Sequence, residues 1–151
     1  MNYGLKSPKI CVSLRQLKSL KEIEFGENEI SIGSMVSLAF LAENKFLKKT
    51  FPALVSAAIR VASPQIRNMA TLGGNILQER RCKYFNHSER WREGIDPCFL
   101  IGGDRCYQIP KSDHCCALYY SDLATPLMAY QAVLEIYGKK GLQKKKKKKL
   151  F

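Results

Sequence analysis

The chain has 151 residues, of which 25 are Lys or Arg and 13 are Asp or Glu, so its formal charge is +12. Six of the lysines form one run, residues 144–149, and without it the rest of the chain carries an ordinary +6. A hydrophobic content of 46% suffices for a core and excludes wholesale disorder. No stretch approaches about 18 apolar residues, which excludes a membrane-spanning helix, and the N-terminal residues lack an apolar run of secretory type. We therefore expect a cytoplasmic protein with reduced cysteines.

The first part of the sequence predicts a compact α+β unit. Residues 10–14 indicate a short strand, and the alternation of polar and apolar residues over 22–33 predicts a β-hairpin. Helices are predicted at residues 37–43 and 52–62, the second with Pro52 in its first turn. In that helix, four apolar residues recur at helical spacing and are predicted to share one face: Leu54, Ala57, Ala58 and Val61.

The rest of the sequence is less regular. Residues 63–81 are predicted to form loops and turns, and residues 82–114 have no sustained period of either kind. Ser121 and Asp122 are candidates for the N-cap of a later helix. A strand is predicted at residues 117–120, the helix itself at 121–132, and a final strand at 133–137.

Five of the six cysteines lie within residues 82–116. We call four of them the loop cysteines; they stand 16, 8 and 9 residues apart and are Cys82, Cys98, Cys106 and Cys115. Structural zinc usually takes closely spaced pairs of ligands, which this segment lacks. Iron–sulfur clusters also need four thiolates, and positive residues and a bulky shell suit an anionic [4Fe–4S] core. On the residues alone, a cluster and scattered reduced cysteines stay open as equal alternatives.

The remaining cysteines and the two histidines are given other assignments. Cys116 adjoins Cys115 and cannot easily face the same metal corner, so it is left unassigned. Cys11 lies in a strand pattern and is predicted to be a buried apolar thiol. Solvated polar side chains are the expectation for His87 and His114, although both are metal ligands in principle.

A second candidate site is the segment Thr71-Leu72-Gly73-Gly74-Asn75, which we call the glycine turn. Adjacent glycines let consecutive backbone N–H groups approach a pyrophosphate, and concavities of such groups bind anions. A Gly-Gly pair is more often only a turn, and this one matches neither a dinucleotide fingerprint nor a P-loop. Asp122 likewise has the alternative assignment of a helix cap beside Ser121.

Together these segments resemble the FAD-binding subunit of the molybdenum hydroxylases, the xanthine dehydrogenase and carbon monoxide dehydrogenase family. The motif that carries the resemblance runs from Ser63 to Asn75 and continues in residues 121–124. The long connection at 82–115, with four cysteines at this spacing, is similar to the subfamily of 4-hydroxybenzoyl-CoA reductase beta subunits. The resemblance covers roughly residues 8–140.

The resemblance implies a fold, cofactors and site residues. The fold is an α+β FAD-binding domain of the PCMH type, here incomplete, with an inserted cysteine-rich loop at 82–115. The loop cysteines would hold a [4Fe–4S] cluster. The five residues of the glycine turn would surround the FAD pyrophosphate: Thr71, Leu72, Gly73, Gly74 and Asn75. Asp122 would lie near the cofactor, and Val61 would line its pocket.

The same resemblance implies an electron-transfer subunit. It would relay electrons between an external donor such as ferredoxin and a molybdenum-cofactor subunit, with a further [2Fe–2S] subunit in the complex. No residue is expected to act as general acid, base or nucleophile, because the cofactors carry the chemistry. The substrate would be 4-hydroxybenzoyl-CoA or a related aromatic acyl-CoA, bound by the molybdenum subunit.

Two departures from the family pattern lead to an alternative. Residues 1–9 lack the family's first pyrophosphate loop, and residues 142–151 form a lysine-rich tail instead of the family's continuation. We therefore expect residues 1–141 to be a partial FAD-binding domain, truncated at both ends, with the tail outside the fold. The alternative is a fragment that binds no FAD. A nucleic-acid-binding domain, suggested by the charge alone, ranks below both because acids are interspersed with the basic residues.

Overall fold

The computed structural model describes residues 8–138 and 141–145. The chain divides into two compact units. Of the described residues, 14–78, 121–138 and 141–145 form the first, which we call the helical unit, and 8–13 and 79–120 form the second, the cysteine-rich unit.

The helical unit begins with a short 3-10 turn, Lys18–Lys21, and an antiparallel hairpin of two strands, β1 (Ile23–Phe25) and β2 (Ile30–Ile32). Six short helices and a second hairpin follow in the same unit: α1 (Leu38–Glu43), α2 (Lys45–Thr50), α3 (Pro52–Arg60), α4 (Pro64–Met69), α5 (Leu72–Ile76), then α7 (Ala124–Ala129), β3 (Leu134–Gly138) and β4 (Gly141–Lys145). None of the helices in the described ranges has the length and apolarity needed to cross a bilayer.

The core of the helical unit lies where α1, α2 and α3 meet. Its buried side chains come from these helices, from the segment just before α1 and from two later segments: Val36, Leu38, Leu41, Leu47, Leu54, Val55, Ala58, Leu72 and Leu123. Side-chain caps start several of these helices, because Ser37, Asn44 and Ser63 each accept a hydrogen bond from the backbone N–H three residues on. Leu72 and Leu123 carry the glycine turn and residues 121–124 onto this core.

Several predicted elements are confirmed. The hairpin forms with Ile23 opposite Ile32, and the predicted helices correspond to α1 and α3. On α3, Leu54 and Ala58 are buried, while Ala57 and Val61 pack against the core from partly buried positions. The final predicted strand corresponds to β3.

Other predictions are wrong. Residues 10–14 form no strand, and Ile10 and Val12 are 81% and 79% exposed. Cys11 is exposed rather than buried. Residues 63–81, predicted as loop, contain α4 and α5, since Ser63 and Thr71 cap two short helices that lack apolar periodicity.

Three further boundaries differ from the prediction. Instead of a strand at 117–120, there is a single bridge between Leu118 and Arg81. The helix predicted over 121–132 is α7, which ends at Ala129 and is followed by Gln131 at a φ of +56°. Residues 142–145, which we assigned to the tail, pair with β3 as part of β4, and residues 146–151 lie outside the described residues.

The cysteine-rich unit has little regular structure in its described part, as the lack of periodicity predicts. It contains one four-residue helix, α6 (Glu89–Arg92), and a 3-10 turn, Phe99–Ile101. Two isolated bridges, Arg81 with Leu118 and Cys98 with Arg105, bring distant parts of the loop together.

Candidate functional site

The glycine turn belongs to the helical unit, where it forms the start of α5. Thr71 is the N-cap residue, and its Oγ1 accepts a hydrogen bond of 3.1 Å from the N–H of Gly74. A preceding strap of residues 34–38 runs alongside the turn. Leu38 donates its N–H to the carbonyl of Ala70 at 3.0 Å, which fixes the entry to the turn.

The backbone N–H groups of the glycine turn are used within the chain. Leu72 donates to the carbonyl of Val36 at 2.9 Å, and Gly73 donates to that of Ser34 at 2.8 Å. The N–H groups of Gly74 and Asn75 bond to the side chain and the carbonyl of Thr71. All four N–H groups therefore have partners within the chain. The assignment of the turn to FAD stays a prediction.

Gly73 has a structural reason to lack a side chain. A Cβ at this position would lie 2.8 Å from Cβ and 2.9 Å from the carbonyl oxygen of Ser34, closer than packing allows. The turn can approach the strap only because Gly73 leaves that space empty. At Gly74 a Cβ would meet the Thr71 hydroxyl at 3.1 Å, so this position is also tight.

Asn75 joins the two halves of the sequence motif. Its Oδ1 accepts hydrogen bonds from the hydroxyl of Ser121 at 2.8 Å and from the N–H of Leu123 at 3.2 Å. Its Nδ2 donates to Asp122 Oδ2 at 3.3 Å. Ser121 also accepts a bond of 3.1 Å from the N–H of Ala124. The hydroxyl thus takes the helix-capping bond, and Asp122 instead holds the amide of Asn75.

Replacing Asn75 with alanine should destabilise the helical unit by about 1–3 kcal/mol. The variant removes two acceptor contacts and one donor contact, and it leaves the N–H of Leu123 without its partner in a partly buried setting. Chemical denaturation measures the change, with Asn68→Ala on the exposed side of α4 as the matched control, expected to stay within about 0.5 kcal/mol. Equal stability of the two variants would show that the network does not hold residues 121–124.

Val61 lies at the C-terminal end of α3, with its side chain partly buried against the core of the helical unit. The structure therefore keeps Val61, the glycine turn and Asp122 in one unit. A direct hydrogen bond connects the turn to Asp122. The Val61 backbone bonds elsewhere, because its N–H donates to the carbonyl of Ala58 and its carbonyl accepts from Arg67.

In the cysteine-rich unit, all four loop cysteines line one cavity. The space that these side chains enclose is about 10 Å³, room for about one water molecule, and it is partly open to solvent. Aromatic and aliphatic groups form most of the remaining wall, with one arginine: Tyr84, Phe99, Leu100, Arg105, Tyr107 and Ala117. Residues up to 33 positions apart in the sequence thus converge on a single space.

A tight loop places Cys98 and Cys106 at this cavity. The N–H of Phe99 donates to the carbonyl of Arg105 at 3.1 Å, and the carbonyl of Cys98 accepts from Ile101 and Gly103, both at 2.9 Å. Arg105 also forms an ion pair of 2.7 Å with Asp96. The chain therefore returns to the start of the loop just before Cys106.

Cys82 and Cys115 are brought together by the two ends of the long connection. Arg81 and Leu118 exchange backbone hydrogen bonds of 2.8 and 3.1 Å, and Arg80 donates to the carbonyl of Cys115 at 3.3 Å. The N–H of Cys82 is in turn held by Asn86 Oδ1 at 2.7 Å. These contacts explain how residues with no local periodicity reach defined positions.

Backbone donors surround the buried Cys106. The N–H groups of Cys116, Ile109 and Gln108, with the Cys116 thiol, lower the pKa of Cys106 below its usual value, against the opposing effect of burial. Cys115 also receives a donor, the N–H of Ala117 at 3.5 Å. The donors at Cys106 favour the thiolate form of that residue.

Arg105 supplies a fixed positive charge on the cavity wall. A hydrogen bond to Asp104 and the charge of Asp96 raise its pKa, so this guanidinium stays protonated. Because its side chain is about half exposed, the ion pairs contribute more to orientation than to stability.

The other candidate ligands do not line this cavity. His114 is exposed and contacts Asp113 at 2.6 Å, while His87 is exposed and stacks on Trp91, as the sequence predicts for solvated histidines. The Cys116 thiol contacts Cys106 from outside the lining and also donates to the hydroxyl of Ser112 at 3.2 Å. All six cysteines are free thiols. No group of three or more His, Cys, Asp or Glu side chains in the described ranges could hold a metal ion.

The mixture of helices and short hairpins is consistent with an α+β domain. Over residues 1–151 the chain matches the family of FAD binding domains in molybdopterin dehydrogenase. The protein therefore belongs to this family, as its motif at 63–75 predicts.

Named relatives are subunits of oxidoreductases. The aldehyde oxidoreductase FAD-binding subunit PaoB of Escherichia coli (strain K12) is 31% identical over 147 residues, which are 93% of this chain and 46% of PaoB. The nicotinate dehydrogenase FAD-subunit of Eubacterium barkeri is 37% identical over 76 residues, 50% of this chain and 26% of its own length. The carbon monoxide dehydrogenase medium chain of Afipia carboxidovorans is 33% identical over 75 residues, with the same coverage of 50% and 26%. The chain thus spans less than half the length of these relatives.

Proposed function

We propose that the chain is the flavin- and cluster-binding part of an electron-transfer subunit in a molybdenum-dependent oxidoreductase. Membership of the FAD-binding family supports the flavin assignment. The observation that carries the cluster assignment is the convergence of all four loop cysteines on one cavity. Localisation in the cytoplasm, where the thiols stay reduced, is part of the same proposal.

Four thiolates are the ligand set that a [4Fe–4S] cluster requires. The described residues contain no group of three or more His, Cys, Asp or Glu placed to hold a metal ion, so the proposal requires the loop to rearrange when a cluster binds. The N–H donors at Cys106 and Cys115, and the aromatic wall, are the surroundings that tune such a cluster.

When bound, the cluster and FAD would supply one-electron and paired-electron transfer, respectively. The loop cysteines would hold the cluster, and no side chain is assigned as an acid, base or nucleophile. In the helical unit, Val61, the glycine turn and Asp122 are proposed to lie at the flavin. Because the turn's N–H groups are engaged within the chain, its contribution is the close approach that two glycines permit.

The finer assignment is the subfamily of 4-hydroxybenzoyl-CoA reductase beta subunits, supported by the spacing and convergence of the loop cysteines. In that case the partners are a molybdenum-cofactor subunit and a [2Fe–2S] subunit, with a donor such as ferredoxin. An aromatic acyl-CoA would react at the molybdenum subunit. The alternative is that these residues bind no FAD, which is favoured by the engagement of the glycine turn's N–H groups within the chain.

Replacing Cys98 with serine should lower the bound iron and acid-labile sulfide to near background when the protein is purified without oxygen. Serine keeps the size of the side chain but replaces a soft thiolate with a hydroxyl. The matched control is Cys11→Ser, which changes an exposed cysteine outside the cavity and should keep wild-type iron. Iron and sulfide analysis, together with the visible absorption of the cluster, gives the readout.

Each result decides one part of the proposal. Equal iron in the two variants would contradict the ligand assignment. A wild-type protein that carries iron but no FAD, even after incubation with excess FAD, would support the fragment alternative over the flavin function. Wild-type protein with neither iron nor flavin would contradict both cofactor assignments.

A further inference from the structure

The turn between α3 and α4 contains a strained residue. Ala62 has a φ of +41°, which is a left-handed conformation that side chains other than glycine seldom adopt. The residues on both sides are extended, at a ψ of 117° for Val61 and 162° for Ser63. Strained residues of this kind persist only where surrounding contacts hold them, and they concentrate at functional sites.

Arg67 provides the contact that holds this turn. Its Nη1 donates to the carbonyl of Val61 at 2.9 Å and to the carbonyl of Ala62 at 3.0 Å. The side chain is partly buried, and its helix is fixed at the start by the Ser63 hydroxyl, which accepts from Ile66 at 3.3 Å. A single guanidinium nitrogen thus orients two successive carbonyls at the negative end of α3, where a positive charge is favourable.

The residue that this contact fixes is the one proposed to line the flavin pocket. Val61 directly precedes Ala62, and its side chain packs partly against the core. Its position therefore depends on the conformation of the strained turn. We propose that Arg67 is a positioning residue for the flavin site, which acts by holding Ala62 in its left-handed conformation and so fixing Val61. This inference rests on the proposed flavin function and extends it to a residue outside the predicted pocket.

Flavin binding by Arg67→Gln tests the inference. Loss of two hydrogen bonds from a charged donor should weaken FAD affinity about tenfold or more, measured by flavin fluorescence during titration. Arg67→Lys, which keeps a charged donor, should lose less. The matched control is Arg60→Gln at the exposed end of α3, which removes the same charge one residue from Val61 and should bind FAD as the wild type does.

A rescue variant separates positioning from direct contact. Glycine adopts a positive φ without the strain that alanine carries, so Ala62→Gly combined with Arg67→Gln should restore affinity to within about threefold of the wild type. In flavin-free protein, amide hydrogen exchange over residues 61–63 should be faster in Arg67→Gln and slower again in the double variant. This second readout does not require the cofactor.

The outcomes are distinct. If the wild type binds no FAD, the proposed flavin function fails and the inference fails with it. If the wild type binds and Arg67→Gln binds equally well, only the inference is overturned. A double variant as weak as Arg67→Gln would overturn positioning in favour of direct contact with the flavin, and equal losses in Arg67→Gln and Arg60→Gln would overturn it in favour of a general charge effect.

Discussion

Replacing Gly103 with alanine should disrupt the loop that places Cys98 and Cys106. A Cβ at this position would overlap the carbonyl of Pro97 and lie 3.0 Å from the N–H nitrogen of Cys98. Both neighbours are backbone atoms, so relief requires the chain itself to move. We expect a loss of about 1–3 kcal/mol or more in stability, with reduced iron uptake because two of the four loop cysteines are displaced.

Two other glycines in the same unit calibrate this prediction. At Gly94 a Cβ would make an ordinary contact of 3.4 Å with the carbonyl of Trp91, so Gly94→Ala should stay within about 0.5 kcal/mol of the wild type. At Gly102 there is open space but a φ of +89°, so alanine there should cost about 1–2 kcal/mol from strain alone. Thermal unfolding and iron content compare the three variants. A Gly103 variant no less stable than the Gly94 variant would contradict the close approach to Pro97.

The sequence predicts elements well where the determining interactions are local. The hairpin over residues 22–33 follows from alternation around a short turn, closed by a bond of 2.9 Å from Gly26 to Glu29. Pro52 at the first turn of α3 and its apolar stripe likewise depend on nearby residues only. In both cases the pattern extends over enough residues to define a period.

Helices with a single buried residue cannot be predicted in this way, because one apolar position defines no period. The sequence of α2 contains three lysines, and Leu47 is its one buried residue. In α5 the one buried residue is Leu72, and two glycines of low helix propensity follow it. The cap at Thr71 holds α5 locally. The strap at 34–38 also accepts hydrogen bonds from the start of α5, and these contacts join residues that are far apart in the sequence. Tertiary contacts therefore override the local preference for a turn.

The same distinction applies to the two sites. The spacing of the loop cysteines predicts a ligand set, and the structure brings the four to one cavity. For the glycine turn, the residue types leave an anion-binding concavity and a plain turn as alternatives, and in the structure the N–H groups of Leu72 and Gly73 bond to the strap. Arg67 gave no signal in the sequence, because its importance depends on the backbone conformation of Ala62. Residue type indicates which chemistry is possible, but not which groups are already in use.

Replacing Leu123 with alanine should cause a large loss of stability in the helical unit. The side chain is fully buried in its core, so truncation removes apolar contacts and leaves a cavity, at a cost of about 2–5 kcal/mol. For a chain of this size, that loss lowers Tm by roughly 10 °C. Leu77→Ala is the control, since Leu77 is 72% exposed and should shift Tm by little.

The Leu123 variant also tests how residues 121–124 are held. The backbone N–H of Leu123 donates to Asn75, and its side chain is buried in the core of the helical unit. Leu123 therefore connects residues 121–124 both to the glycine turn and to the core. If core packing fixes the segment, Leu123→Ala should weaken FAD binding more than Leu77→Ala does, because Asp122 is no longer fixed beside the glycine turn. A destabilised Leu123 variant with unchanged FAD affinity would show instead that the network of Asn75 alone positions Asp122.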